Sequence, residues 1–486
     1  MKIYNSISRS KEEFRPKEPG KVSLYVCGIT AYDYCHIGHA RAAVVFDVLV
    51  RYLRFSGYHV IFVRNFTDVD DKIINRAREE GIDSQAVAEK YIQAFYQDMD
   101  RLNILRPDYE PRATEHIQDM QEVIKTLIDK GYAYATLNGD VYFRVRNFSD
   151  YGRLSGRNIE ELKAGARIEP GQDKEDPLDF ALWKKAKPDE PSWPSPWGDG
   201  RPGWHIECTA MSQRFMSLPL DIHGGGQDLI FPHHENERAQ SIAASGRDFV
   251  RYWMHNGFVQ VKSEKMSKSL GNFVTLRDIF AHFLPEVLRF FLLSQHYRSP
   301  LDFSFESLQE AEKGLKRVYQ TQKNLEAVTS ALSTNKGPNL PVEIGQEIQA
   351  ASSQWQSSLE DDLNTAAALG YAFSLIRIAN RILEDKKLRK AKDAWQACQE
   401  IIAALKELGS VLGLFSQKRD EFLHDLRMSR ANRAGVDTRQ VEDLVAKRQK
   451  ARKAKDFTLA DSIRDQLVQL GVAVQDTPDG PVWDFE

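Results

Sequence analysis

The sequence predicts an α/β protein in which an open parallel sheet, split by an insertion, is followed by a helical bundle and a small C-terminal module. Three observations carry this. A strand-loop-helix-strand succession runs from Val22 to Val63, a second β-rich block returns only after a loop dense in Pro and Gly, and the β signal fades from Ser307 onward.

At roughly 150 residues per domain, a chain of 486 residues suggests about three domains, each able to bury its own core. Lys plus Arg total 66 and Asp plus Glu 69, giving a net charge of -3 with 28% charged and 42% hydrophobic residues. This composition excludes disordered and fibrous classes. It does not exclude nucleic acid, because one basic patch can meet a polyanion in a near-neutral protein. Met1 to Phe14 lacks the apolar stretch of a secretory signal, and no apolar run reaches the length of a membrane span. A cytoplasmic protein with no membrane partner is expected. Cys27, Cys35, Cys208 and Cys398 are too few and too scattered for a disulfide framework, which leaves metal binding or catalysis.

Val22 to Val26 is a β-prone run ending at Cys27-Gly28, and Ala40 to Phe55 carries Val44, Val45, Val48, Leu49, Tyr52 and Leu53 at helical spacing. Tyr58 to Val63 closes the βαβ unit. Ligands of such sheets bind at the carboxyl ends of strands, here the segment Cys27 to His39. Helical patterns follow over Ser84 to Leu102 and Ala113 to Lys130, and Val141 to Val145 alternates like a strand. Ser192 to Gly203 is loop. Strands near Asp221 to His223 and Tyr252 to Val261 complete the sheet, so about 85 residues between Glu115 and Arg201 read as an insertion and the nucleotide-binding, Rossmann-type domain is split. Leu308 to Leu332, Val342 to Ser358, Thr365 to Lys387 and Ala391 to Leu414 form the bundle, and Ser333 to Asn339 is a loop within it. Ser429 to Gly435 separates the last module. The expected units are residues 1–114, 115–201, 202–255, 256–306, 307–428 and 429–486.

His36-Ile37-Gly38-His39 falls at a helix N-terminus suited to phosphate, with Gly38 allowing close backbone approach. Lys265-Met266-Ser267-Lys268-Ser269 puts two ammonium groups and two hydroxyls on one loop after the last β-rich block. Two lysines on a loop are usually a solvated face, but order and separation from the His motif argue for a paired role. Together these motifs resemble the two signatures of class I aminoacyl-tRNA synthetases. In amino-acid activation the substrate carboxylate attacks the α-phosphate of ATP, so the protein needs positioning and charge stabilisation, not a nucleophile. The resemblance assigns catalytic roles to His36, His39, Lys265 and Lys268. It assigns Mg²⁺-ATP binding to Gly28, His36, Gly38, His39, His223, Asp228 and Lys268, with Asp228 accepting from ribose hydroxyls.

Cys27, Cys208, His233 and Glu237 supply two thiols, an imidazole and a carboxylate, a borderline-soft set suited to zinc, and the last two share one helix face at i, i+4. His234 competes, but its own i+4 partner is Arg238, a cation. The set and its flanks, Tyr25-Val-Cys-Gly-Ile-Thr30, Pro202-Gly-Trp-His-Ile-Glu-Cys208 and Phe231-Pro-His-His-Glu-Asn-Glu237, match the cysteinyl-tRNA synthetases of bacterial type, and the chain is identified as a member of that family. The resemblance implies one Zn²⁺ per chain, Thr67 and Trp204 closing the pocket for L-cysteine, tRNA(Cys) as partner and a monomer. Four protein ligands would close a zinc site, so Glu237 is expected to bind weakly or the metal to take a fifth ligand.

Lys447 to Lys455 holds six cations in nine residues and precedes Phe457, Asp461, Asp476 and Trp483. Cations, aromatics and carboxylates are what reading unpaired bases requires. The module resembles the family's anticodon-binding domain, with Arg452, Asp461 and Asp476 as expected readers. Two alternatives stay open: the cysteine ligase of mycothiol synthesis, which shares the catalytic features but lacks this module, and a non-catalytic synthetase-like RNA-binding protein.

Overall fold

The computed structural model describes residues 1–158, 174–261, 264–265, 273–477 and 480–485. Its central sheet holds four parallel strands in the order Val250–Asn256 (β10), Leu220–Gly226 (β9), Lys21–Thr30 (β3) and His59–Thr67 (β4). Alternation along β3 feeds two cores. Leu24 and Val26 join the core that includes the helix Ile37–Phe55 (α1), whereas Tyr25 joins the one that includes Ile206, Cys208 and Ala239. Helix α1 crosses from β3 to β4, buries Val44, Val48 and Leu53, and touches both the sheet and the bundle helix Ala394–Leu412 (α12).

The expected elements form with longer ends. The strand reaches Thr30 and not just Val26, and the second strand reaches Thr67 because its backbone stays paired with β3 past the apolar run. Residues Ala113–His116 make a 3-10 turn before the helix Ile117–Asp129 (α4). The insertion folds into a four-stranded antiparallel sheet, Ala133–Ala135, Val141–Phe143, Phe180–Lys185 and Gly200–Pro202 (β5–β8). Where one strand was expected from Tyr252 to Val261, Gly257 breaks the run, because a Cβ there would lie 2.6 Å from the carbonyl oxygens of Arg298 and Ser299. Val259–Val261 (β11) pairs instead with Leu301–Phe303 (β13).

The bundle comprises Phe305–Leu332 (α9), Val342–Glu360 (α10), Thr365–Glu384 (α11), α12 and Arg419–Ala434 (α13). Among the described residues α11 alone is long and apolar enough to cross a membrane, and its apolar side, with Leu369, Leu375 and Ile376, lies in the bundle core. The break expected from Ser429 lies later, since α13 runs through Ser429 to Ala434 and the chain turns at Gly435, φ 65°. Thr438–Lys453 (α14), Phe457–Gln469 (α15) and the hairpin Val472–Thr477, Gly480–Phe485 (β14, β15) then close over Val441, Val445, Ile463, Leu467, Val472 and Trp483. Asp484 docks this module on the bundle through Lys316, 2.5 Å.

Candidate active site and metal centre

The pairing of β3 with β4 shifts register between Val26 and Ile29, and Cys27 and Gly28 occupy that irregularity. Gly28 permits it, because a Cβ there would lie 1.5 Å from the Asn65 carbonyl oxygen, and its N–H donates to Asn65 Oδ1 at 2.9 Å. Cys27, two residues beyond Tyr25, packs against the same core as Cys208 on the helix Trp204–Phe215 (α5). The Cys27 thiol donates to Cys208 Sγ at 3.5 Å and to Glu237 Oε1 at 3.3 Å, and His233 Nε2 lies 3.0 Å from that same oxygen. His233 lies in a π-type turn, Ile230–His234, that leads into the helix Glu235–Ser245 (α6) holding Glu237, so the pair keeps its helical spacing although α6 starts later than Pro232 implied.

The donor atoms of Cys27, Cys208, His233 and Glu237 lie within 4.8 Å of one another, the scale on which one ion bonds all four. Cys27, His223, His234 and Glu237 form an overlapping set on the same scale, with His234 Nε2 3.3 Å from Cys27 Sγ and His223 Nε2 2.9 Å from Glu237 Oε2. Thus His234, set aside in the sequence for its Arg238 partner, stands beside Cys27. His223, expected at ATP, lies fully buried behind the thiols with its Nδ1 3.1 Å from the Tyr25 carbonyl oxygen. Its signal was ambiguous, because a His before three glycines reads equally as nucleotide loop and as buried strand end.

Electrostatics follow from burial and proximity. Burial raises the Glu237 carboxyl, but the His223 and His233 imidazoles overcome this and hold it well below the usual carboxylate range. Burial likewise opposes an ionised Cys208, yet the hydrogen bond from Cys27 and the neighbouring His233 bring it down to about 6. Burial lowers His233, and Glu237 and Cys208 push it up to about 10. Burial is thus outweighed in favour of anionic sulfur at Cys208 and anionic oxygen at Glu237 beside the His233 imidazole, donor chemistry suited to a cation.

A cavity of about 370 Å³ opens beside these groups at the carboxyl ends of the strands, lined by Cys27, Gly28, His36, Gly38, His39, Trp204 and Asp228. His36 caps α1. Its Nδ1 accepts from Gly38 N at 3.0 Å, His39 Nδ1 accepts from His36 N at 3.4 Å, and the two rings stack 3.8 Å apart. Trp204 heads α5 with its ring 4.3 Å from that of His233. Thr67 is not in the cavity wall; its hydroxyl donates to Glu207 Oε2 at 2.6 Å. Lys265 lies in a short strand, Glu264–Lys265 (β12), paired with Gln260, and Lys268 lies outside the described residues. A larger cleft of about 860 Å³, between Arg78 and Trp193, contains none of the signature residues.

In the last module Arg452 and Asp476 face each other as an ion pair, with Arg448 on the other side of Asp476. Asp461 stands 3.8 Å from Arg464, and Phe457 is exposed. Trp483, expected to stack on a base, is buried beneath the Arg427 guanidinium, 5.1 Å from its ring.

Three family models match the chain: tRNA synthetases class I (C) catalytic domain over residues 13–313, DALR domain over 354–416, and cysteinyl-tRNA ligase anticodon binding domain over 438–483. A cysteine–tRNA ligase of Maridesulfovibrio salexigens is 61% identical over 485 residues, 99% of each chain. One of Lawsonia intracellularis is 53% identical over 485 residues, covering both chains in full. Among solved structures, a Mycobacterium tuberculosis methionyl-tRNA synthetase in complex with methionyl-adenylate superposes with a TM-score of 0.62 at 15% identity, over 83% of this chain and 96% of that one, a likeness of fold.

Proposed function

The chain belongs to the cysteine–tRNA ligases, class I aminoacyl-tRNA synthetases, and we propose that it joins L-cysteine to tRNA(Cys) through a cysteinyl-adenylate, choosing cysteine at the Cys27, Cys208, His233 and Glu237 group. The observation that carries this reading is the clustering of those four donor atoms behind the cavity of His36 and His39, whose wall includes Cys27.

Mg²⁺-ATP enters with its phosphates at the N-terminus of α1, where backbone N–H groups and the two imidazoles meet developing negative charge. Gly28 and Gly38 leave room for the nucleotide, Asp228 accepts from ribose hydroxyls, and Lys265 and Lys268 supply cations. Cysteine lies against Trp204 with its carboxylate turned to the α-phosphate. Thr67 shapes this pocket through Glu207, which its hydroxyl holds one residue before Cys208.

A pocket without a metal separates near-isosteres such as cysteine and serine by only about 10- to 200-fold. Zinc held by Cys27, Cys208, His233 and Glu237 supplies, when bound, a position that rewards thiolate sulfur over a hydroxyl. His223 occupies Oε2 of Glu237, leaving Oε1 toward Cys27 and His233, which supports Glu237 as a weak, one-oxygen ligand.

Residues 1–114 and 202–255 form the halves of the catalytic domain around the insertion 115–201. Residues 256–306 carry the lysine loop, the bundle 307–434 binds tRNA, and the module from Gly435 reads its anticodon, with Asp461 the accessible carboxylate. The reading includes a monomer in the cytoplasm. ATP–pyrophosphate exchange that requires cysteine, followed by charging of purified tRNA(Cys), tests it. Exchange without charging, with cysteine passed instead to an amino-sugar, favours the small-molecule ligase.

A further inference from the structure

Arg289 is fully buried on the helix Pro285–Leu293 (α8), where four parts of the chain meet. Its Nε donates to the Leu412 carbonyl at 2.7 Å, and Nη1 donates to the carbonyls of Leu102 and Asn103 at 2.9 and 3.1 Å. Its Nη2 pairs with Asp47, which is buried on α1, the helix that His36 caps. Asp47 also accepts from Arg51 Nε and from the N–H of Leu105, both at 2.8 Å. Leu412 ends α12, and Gly413 follows in the left-handed region, φ 65°, packed so closely that a Cβ would lie 2.5 Å from Arg289 Cζ. One turn earlier on α8, buried Glu286 accepts from the N–H of Phe415 at 2.6 Å and from Gln417 Nε2 at 2.7 Å.

Helix α8 thus grips the end of α12 with a cation on its last carbonyl and a carboxylate on the amide beyond, while the same cation holds the catalytic helix. The grip crosses from the part of the chain matched as catalytic domain to the part matched as DALR domain. Burying such a pair contributes little stability compared with apolar packing, but its charge-assisted hydrogen bonds are directional.

We propose that the Asp47–Arg289 joint is a positioning device for tRNA: it sets the orientation of the bundle relative to the helix of His36 and His39, and so acts on transfer of cysteine to tRNA. This rests on the reading of the bundle as tRNA-binding. Neither residue lines the cavity, so the joint bears on adenylate formation less than on transfer.

The test uses the full chain with Asp47→Leu/Arg289→Met, which removes both charges together, and with Arg289→Lys. Cysteine-dependent exchange should stay within about threefold of wild type. Transfer from preformed adenylate should fall about tenfold or more, because a misplacement of about 1 Å can cost 10²-fold, with Arg289→Lys intermediate. If the double variant does not fold, Gly413→Ala, which keeps both charges and displaces the guanidinium, carries the same expectation. Transfer at the wild-type rate, or exchange and transfer falling in parallel, overturns the proposal. A wild-type chain that neither exchanges nor charges overturns the underlying reading instead.

Discussion

Arg448 holds Asp476 with two prongs, its Nη1 and Nη2 lying 2.9 and 3.1 Å from the two carboxylate oxygens. Chiefly through Arg448, the pair holds the Asp476 carboxyl below its usual range. A depressed folded-state value means stabilisation that is present above the ordinary Asp value of about 3.9 and is lost as pH falls through the folded value. Because Asp476 is half exposed, the effect is about 1 kcal/mol or less. Hydrogen exchange of the C-terminal hairpin should therefore lose protection between neutral pH and about pH 3, and Asp476→Asn should narrow that difference. An unchanged difference would assign the acid sensitivity to other groups.

Among the described residues Asp461 has no partner as close, and its side chain is 68% exposed, which on the proposed reading leaves it accessible to a base. Asp461→Ala should relax discrimination among anticodon variants of tRNA(Cys) about tenfold, whereas neutralising Lys447 or Lys450 should weaken all tRNAs alike and flatten the salt dependence. Charging kinetics across anticodon variants and salt concentrations separate the two; a uniform loss in Asp461→Ala would make it a positioning group.

Gly28→Ala places a methyl group 1.5 Å from the Asn65 carbonyl oxygen, between the paired strands β3 and β4. Backbone on both sides leaves nothing to move cheaply, so several kcal/mol of stability, about 3 or more, should be lost. A thermal melt within a degree or two of wild type would contradict the register irregularity at Cys27.

Arg41 is buried with no carboxylate partner among the described residues, and burial pulls its guanidinium down to about 10. It donates instead to the carbonyls of Phe258, His296, Tyr297 and Ser299, tying α1 to the wall of the cavity beside His36. Arg41→Met leaves these acceptors unmet and should lower stability by about 2–4 kcal/mol, read as a lower urea midpoint at constant m-value, with Arg41→Lys between. An unchanged midpoint in Arg41→Met would show that the carbonyls are satisfied without it.

The order of strands and helices, the insertion and the capped helix at His36 were legible because each rests on local periodicity and turn chemistry. So was the group of Cys27, Cys208, His233 and Glu237, because its residue types are uncommon and its flanks distinctive. What escaped depends on pairing across the chain. Thr67 reads as pocket wall until Glu207, 140 positions later, takes its hydroxyl. Asp476 reads as a base reader until the fold brings Arg448 to it. The joint at Arg289 forms only when Leu412 and Asp47, 123 and 242 positions away, close around it. One signal was available for Arg41: it sits among Ala40, Val44 and Val45, on a helix whose apolar face continues on both sides, where a cation must find buried acceptors.

Metal content and amino-acid selectivity measured together on Cys208→Ser test the account most directly. The wild-type chain should hold one zinc and prefer cysteine over serine in pyrophosphate exchange by far more than pocket shape allows. Cys208→Ser should lose the metal and fall toward the roughly 10- to 200-fold range of a plain pocket. Stoichiometric zinc retained in Cys208→Ser, with cysteine-over-serine selectivity unchanged, would contradict recognition of the substrate thiolate at this group.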